Sequence, residues 1–320
     1  MEPWIIILII IGSTLLLGIF FFLIPCMAIA EHVYKKQLRR KNKDMWGRFC
    51  SAPDNEEQVR MYAIGEEWFN QNKQFAKDLE LTSYDKLHLV GQYFDFGHKK
   101  CAIIHQGRTE SLIYCYYFAK PYQDAGYNIL VIDPRAHGYS DGKYSSVGLK
   151  EYRDLLDWTK YAHDVLGNEQ IYYHGICIGS ATCIYAITDK NTFDYITGLT
   201  VDGMYKNFHA TMATHMKAEG APMPKVLSFF VMLSMYFHTG KNPLILTPKK
   251  CIKKLNKPIL MLHSKQDVFS LPVYAKEMYD MCNAPKRLVW FDKGAHSHIR
   301  INNQEKYDAE IIKFLKDYNL

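Results

Sequence analysis

Residues 4–30 contain no charged side chain and are dominated by Ile, Leu and Phe. This pattern predicts one apolar helix long enough to cross a hydrocarbon core of about 30 Å. From residue 81 the pattern changes to short apolar runs at 87–94, 101–105, 129–133, 171–174, 196–201, 259–263 and 288–291, most of them separated by stretches of helical periodicity. Short apolar strands alternating with helices predict an α/β fold, a mostly parallel central sheet with helices on both faces. The alternation breaks between residues 201 and 257, where helical stretches at 205–216 and 225–237 predict a small helical lid over about 202–250. Residues 45–80 are charged and aromatic, with Met61, Ile64, Trp68 and Phe69 near one helical face, and read as a linker helix. The expected organisation is therefore an anchor over 1–30, a basic juxtamembrane segment and linker over 31–80, and one domain over 81–320.

Charge sharpens the reading of the N-terminus. Only Glu2 precedes the apolar run, no Ala-x-Ala site follows it, and a secretory signal would carry both a basic start and a cleavage site, so a retained membrane anchor is expected. Lys35, Lys36, Arg39, Arg40, Lys41 and Lys43 follow directly. By the positive-inside tendency they place the domain behind a single-pass helix on the cytoplasmic side. This short segment holds most of the chain's net charge of +6, and assigning it to lipid headgroups leaves no basic surface for nucleic acid.

The eight cysteines, at 26, 50, 101, 115, 177, 183, 251 and 282, include no Cys-x-x-Cys pair. That spacing suits free thiols in a reducing compartment better than a disulfide framework or a zinc site. No metal, nucleotide or flavin motif is present, so no cofactor is expected.

The densest chemistry lies at Gly175-Ile176-Cys177-Ile178-Gly179. A β-rich run at 170–174 precedes it and a small-residue helical stretch at 178–187 follows, so a strand meets a helix at Cys177, the arrangement of a nucleophile elbow. The Ile178 amide then opens the helix and points toward any oxygen that becomes negative beside Cys177. A thiol needs a neighbouring base to act as thiolate, and that base needs an acid to orient it. His296 follows the last strand and Asp267 the preceding one, giving the chain order nucleophile, acid, base. His298 is the competing base, and Ser180 lies close by but on the helix after the elbow, so it is not expected to replace Cys177. Gln106, Asp133, Cys177, Asp267 and His296 all fall at strand C-termini, where open α/β sheets bind ligands.

With these residues the chain resembles the α/β-hydrolase superfamily, especially its membrane-anchored bacterial branch of serine-aminopeptidase-like and general α/β hydrolases, with Cys in the nucleophile position. The resemblance spans about residues 80–318. It rests on His105-Gln106-Gly107, on Asp133-Pro134-Arg135-Ala136-His137-Gly138-Tyr139-Ser140, on the elbow, on Lys257-Pro258 before a strand, on Asp267 and on Gly294-Ala295-His296. It implies Cys177 as nucleophile, Asp267 as acid and His296 as base, with amides of Ile178 and of Gln106 or Gly107 forming the oxyanion hole. Asp133, Arg135 and His137 take a scaffolding role. The chain departs from the family pattern at Gln106, which stands where the family has glycine, in a 267–272 segment one residue longer than usual, and at Cys177 itself, a cysteine that dienelactone hydrolases share.

The function expected is hydrolysis of an ester, lactone or thioester of small-molecule or lipid-like type through an acyl-enzyme. A thiolate is too good a leaving group to favour amides, although a peptidase remains the family's alternative. An inactive fold used for binding or redox sensing through Cys177 is the opposing class.

Overall fold

The computed structural model describes residues 2–320. Its eight strands are β1 (Ala76–Thr82), β2 (His88–Phe94), β3 (Lys100–His105), β4 (Asn128–Ile132), β5 (Gln170–Ile176), β6 (Ile196–Asp202), β7 (Ile259–Ser264) and β8 (Lys286–Phe291). They form one sheet in the order β1-β2-β4-β3-β5-β6-β7-β8. The β1–β2 and β2–β4 pairs are antiparallel, and every other pair is parallel. The order reverses between β3 and β5, so the loops leaving those two strands diverge and open a crevice at the carboxyl edge.

The longer helices are α1 (Pro3–Leu38), α2 (Glu56–Asn72), α3 (Glu151–Asp164), α4 (Ile178–Ile187), α5 (Phe208–Ala218), α6 (Pro224–Thr239), α7 (Pro272–Met281) and α8 (Gln304–Asp317). Apolar cores lie on both sheet faces. One holds Trp158 of α3 and all of α4, and the other holds Phe314 of α8 and Tyr172 of β5. Strands buried on both sides need apolar residues in unbroken runs, and β3 and β4 are buried along almost their whole length.

Three expectations need correction at the N-terminal side. First, β1 starts inside the span read as linker and crosses its end, so the sheet begins before residue 81. Its alternating Leu79 and Leu81 are flanked by Lys77, Asp78 and Glu80, and an edge strand with only one apolar side leaves a weak signal. Second, α2 is part of the domain. Met61 and Trp68 are buried with Phe94, and Ile64 and Phe69 pack against the same core.

Third, the apolar helix does not stop at residue 30. It runs unbroken to Leu38, passing Pro25 through a π-turn over Ile19–Leu23 that absorbs the missing N–H. Its first half is exposed and apolar, whereas Cys26, Ala30, Tyr34 and Leu38, one per turn, are buried against the domain. The basic segment is likewise only partly free for lipid. Arg40 is buried, donating to the carbonyls of Ser140 (3.0 Å), Lys43 (2.8 Å) and Gly138.

Helices α5 and α6 lie within the span expected for the lid. Asn207 caps α5 by accepting from the Ala210 amide, and α6 opens with Pro224 at its first position and ends at Gly240 with φ 68°.

Candidate active site

Cys177 joins β5 to α4 with φ 53° and ψ −112°, a backbone conformation that costs a non-glycine residue energy. Close packing maintains it. The Cys177 amide donates to the Asp202 carbonyl at 2.9 Å. A Cβ on Gly175 would lie 2.4 Å from the Gly179 carbonyl oxygen, and one on Gly179 would lie 2.1 Å from that of His105. The elbow therefore needs glycine on both sides, as the sequence pattern implies. Ser180 is buried and donates to the carbonyls of Gly175 (2.7 Å) and Asp202 (2.9 Å), which commits its hydroxyl to holding the turn.

The structure brings Cys177, His296 and Asp267 together. His296 Nδ1 donates to Asp267 Oδ2 at 2.7 Å, which leaves Nε2 for the thiol of Cys177. Asp267 is buried, and its other oxygen accepts the amides of Phe269 (2.9 Å) and Ser270 (2.7 Å), so the longer loop after β7 wraps the carboxylate. Burial alone would raise the Asp267 pKa, but the charge and hydrogen bond of His296, with His263 and the Ser270 amide, together outweigh it and hold the carboxyl below its usual range. Burial opposes the imidazolium as well. Its interactions with Cys177 and Asp267, through charge and hydrogen bonds together, outweigh this, and the His296 pKa stands well above 6.5.

His298 is held elsewhere. Its Nδ1 lies 3.1 Å from Glu57 and its Nε2 2.8 Å from Gln58 Oε1, which ties α2 to the loop after β8 and leaves His296 as the imidazole facing Cys177.

Ile178 and Gly107 line the cavity beside Cys177, and a Cβ on Gly107 would lie 3.5 Å from that of Cys177. The first-turn amide of α4 has no partner within its own helix, so the Ile178 N–H is available to an oxyanion. The Gln106 side chain is buried and turned away, its Oε1 accepting from Cys115 Sγ at 3.4 Å. The larger residue at this position thus occupies space behind the loop without entering the cavity.

The scaffold motif accounts for how that loop is held. Asp133 accepts from the amides of Leu112 (2.8 Å) and Tyr139 (3.0 Å) and pairs with Arg48. Arg135 bridges Asp85 and Asp154. His137 stacks on Trp46, and its Nε2 lies against the Arg108 carbonyl, so the turn after β4 clamps the loop after β3.

The cavity holds about 210 Å³ and is walled mainly by Tyr114, Tyr205, Phe208, Met212 and Phe269. Two residues reaching it escaped the sequence reading, Gln37 at the end of α1 and Arg108 just beyond Gly107. For Arg108 the signal was present, a cation directly after the candidate oxyanion loop. For Gln37 no local pattern could have given it, because its place depends on α1 folding back onto the domain.

This sheet order, with a strained residue between β5 and α4 and an Asp–His pair after β7 and β8, is that of the α/β-hydrolase fold. A family model of the alpha/beta hydrolase fold matches residues 103–227. The uncharacterized protein YqkD of Bacillus subtilis (strain 168) is 27% identical over 224 residues, 68% of this chain and 71% of that one. Among solved structures, the Pyrococcus furiosus esterase Pf2001 is similar with a TM-score of 0.64 and 25% identity over 77% of this chain and 93% of that chain. The Pyrococcus horikoshii acylaminoacyl peptidase shares the fold with a TM-score of 0.57 and 19% identity over 75% of this chain and 41% of its own. These findings show the α/β-hydrolase fold, with an esterase and a peptidase among the similar solved structures.

Proposed function

We propose that the protein hydrolyses a carboxylic ester or thioester through an acyl-Cys177 intermediate, on a domain tethered to a membrane by α1. The observation that carries this reading is His296, fixed by Asp267 on one nitrogen and facing the elbow thiol with the other, inside a mostly apolar cavity. Likeness to an esterase supports the reaction class.

In the proposed reaction the Cys177 thiolate attacks the carbonyl carbon, and the developing oxyanion lies against the amides of Ile178 and the 106–107 loop. As the tetrahedral species collapses, the C–O or C–S bond to the leaving group breaks and His296 gives it a proton. Neutral His296 then takes a proton from water, the hydroxide attacks the thioester carbonyl, and the acid leaves as the thiolate re-forms. Asp267 holds the imidazole in the required tautomer and stabilises its charged form. With an amide the poorer amine leaving group would favour return of the thiolate, so esters and thioesters are the better substrates. A cavity of about 210 Å³ lies below the roughly 300–1,000 Å³ of sites for drug-sized ligands. That size favours a short acyl group while the lid stays as it is.

The test is hydrolysis of p-nitrophenyl acetate and butyrate by the full chain in detergent. The Cys177→Ala and His296→Ala variants should lose turnover by orders of magnitude, and Cys177→Ser should keep a measurable part. Equal turnover by the parent and Cys177→Ala would remove the nucleophile assignment.

A further inference from the structure

Arg108 follows the loop that flanks Cys177 and lines the same cavity. Arg48, Arg135, Arg287 and Arg300 each have a carboxylate partner, whereas Arg60, Arg153 and Arg108 have none among the described residues, and of these three only Arg108 lines the cavity. Among the described residues no carboxylate oxygen lies within 4 Å of the Arg108 guanidinium, whose one hydrogen bond runs from Nη1 to the Gln37 carbonyl at 3.1 Å. Its remaining N–H groups are not sealed in the interior without partners.

Two acids act on it from beyond contact distance, Glu219, which pairs with His215 at 3.3 Å, and Glu110, and neither forms an ion pair with it. Glu110 Oε1 accepts from Ser51 Oγ and Gln58 Nε2, each at 2.8 Å, and its Oε2 accepts from the Tyr62 hydroxyl at 2.5 Å. A planar fork with spare donors, beside the nucleophile and walled by apolar rings, matches the geometry of an anionic oxygen pair.

We propose that the cavity selects esters or thioesters carrying a second, anionic group, a carboxylate or a phosphate, and that Arg108 is the residue that recognises it. This rests on the hydrolase reading of the same site and names its substrate class. Capping of the last turn of α1 through the Gln37 carbonyl needs only one of the five guanidinium donors.

The test compares kcat/KM for matched pairs with the full chain in neutral detergent. Mono-(p-nitrophenyl) adipate against p-nitrophenyl hexanoate places a carboxylate on the acyl side. Butyryl glycerol 3-phosphate against monobutyrin places a phosphate on the alcohol side. The parent should prefer the anionic member of at least one pair by about 10- to 100-fold, the range of one charge-assisted contact. Whichever pair shows the preference identifies the source of the anion. In Arg108→Ala that ratio should collapse toward one, and Arg108→Lys should restore part of it. A parent that turns over both members equally, or an Arg108→Ala that slows both in the same proportion, overturns the proposal and leaves the hydrolase reading standing. If no ester is turned over, calorimetric titration of parent and Arg108→Ala with 6-methoxyhexanoate against 1,6-dimethoxyhexane decides it. Arg108-dependent binding of the carboxylate alone supports the anion site, and equal or absent binding overturns it.

Discussion

His238 of lid helix α6 lies with its Nε2 2.7 Å from Glu31 Oε1 of the N-terminal helix. Ser234, one turn earlier on α6, donates to the same carboxylate, and the His238 ring stacks on Tyr34 at 5.2 Å and on Tyr144 at 4.7 Å. The apolar N-terminal helix is therefore hydrogen-bonded to α6, which packs with the cavity-lining α5 in one core, and Gln37 at its end reaches the cavity. These contacts tie the position of α6 to that of α1.

Truncation should expose this dependence. Removing residues 1–23 deletes only exposed apolar turns and should leave a folded domain. Removing residues 1–44 deletes Ala30, Tyr34, Leu38 and Arg40, all buried. Each large side chain lost is worth about 1.5–3 kcal/mol of burial, against a total stability of about 5–15 kcal/mol. Thermal melts should show a cooperative transition for the first chain and a lowered or absent one for the second.

The elbow should not tolerate a methyl group. Gly179→Ala puts a carbon 2.1 Å from a backbone oxygen of the neighbouring strand, a clash no rotamer relieves. Loss of soluble protein, or a melting temperature lowered by several degrees together with loss of esterase activity, is the expected result. A variant as stable and active as the parent would contradict the packing of α4 on β3.

Asp267→Asn retains the shape of the acid but reverses the hydrogen-bond demand on His296 Nδ1. The imidazole would then present the wrong tautomer to Cys177, and kcat should fall by about 10³- to 10⁴-fold. The melting temperature should change little by comparison. Because Asp267 orients the imidazole that takes the Cys177 proton, alkylation of Cys177 by iodoacetamide should slow in the same variant.

Asp202, at the end of β6, gives a prediction about pH. Burial pushes its carboxyl up to about 7, against the stabilising hydroxyl of Tyr307 at 2.8 Å. The unfolded chain loses this proton near 3.8, so between that value and about 7 the folded state holds more protons. Stability from this group therefore falls as pH rises through the interval, and its cost is fully in place above 7. In Asp202→Asn, which keeps an acceptor for Tyr307, the decline in melting temperature from pH 4 to pH 8 should be shallower than in the parent. Parallel curves for the two proteins would mean that Asp202 is ionised throughout.

Much of this was legible from the chain alone, for reasons that are local. The apolar run at 4–30, the buried strands and the glycines around Cys177 are short-range patterns, because strand burial and a strained turn restrict residue type at each position. The order Cys177, Asp267, His296 is readable since each follows its own strand. The edge strand β1 was not, because one solvated side halves its apolar signal.

What only the tertiary structure decided involves residues far apart in sequence. Whether His296 or His298 meets Cys177 depends on which side chain Glu57 and Gln58 of α2 capture. The helix at 3–38 is apolar at its start and amphipathic at its end, and sequence cannot say that Tyr34 finds His238 some two hundred positions later. The spare donors of Arg108 are likewise visible only once every carboxylate has been placed, because an ion pair is a relation of distance, and distance between remote residues is set by the packed core.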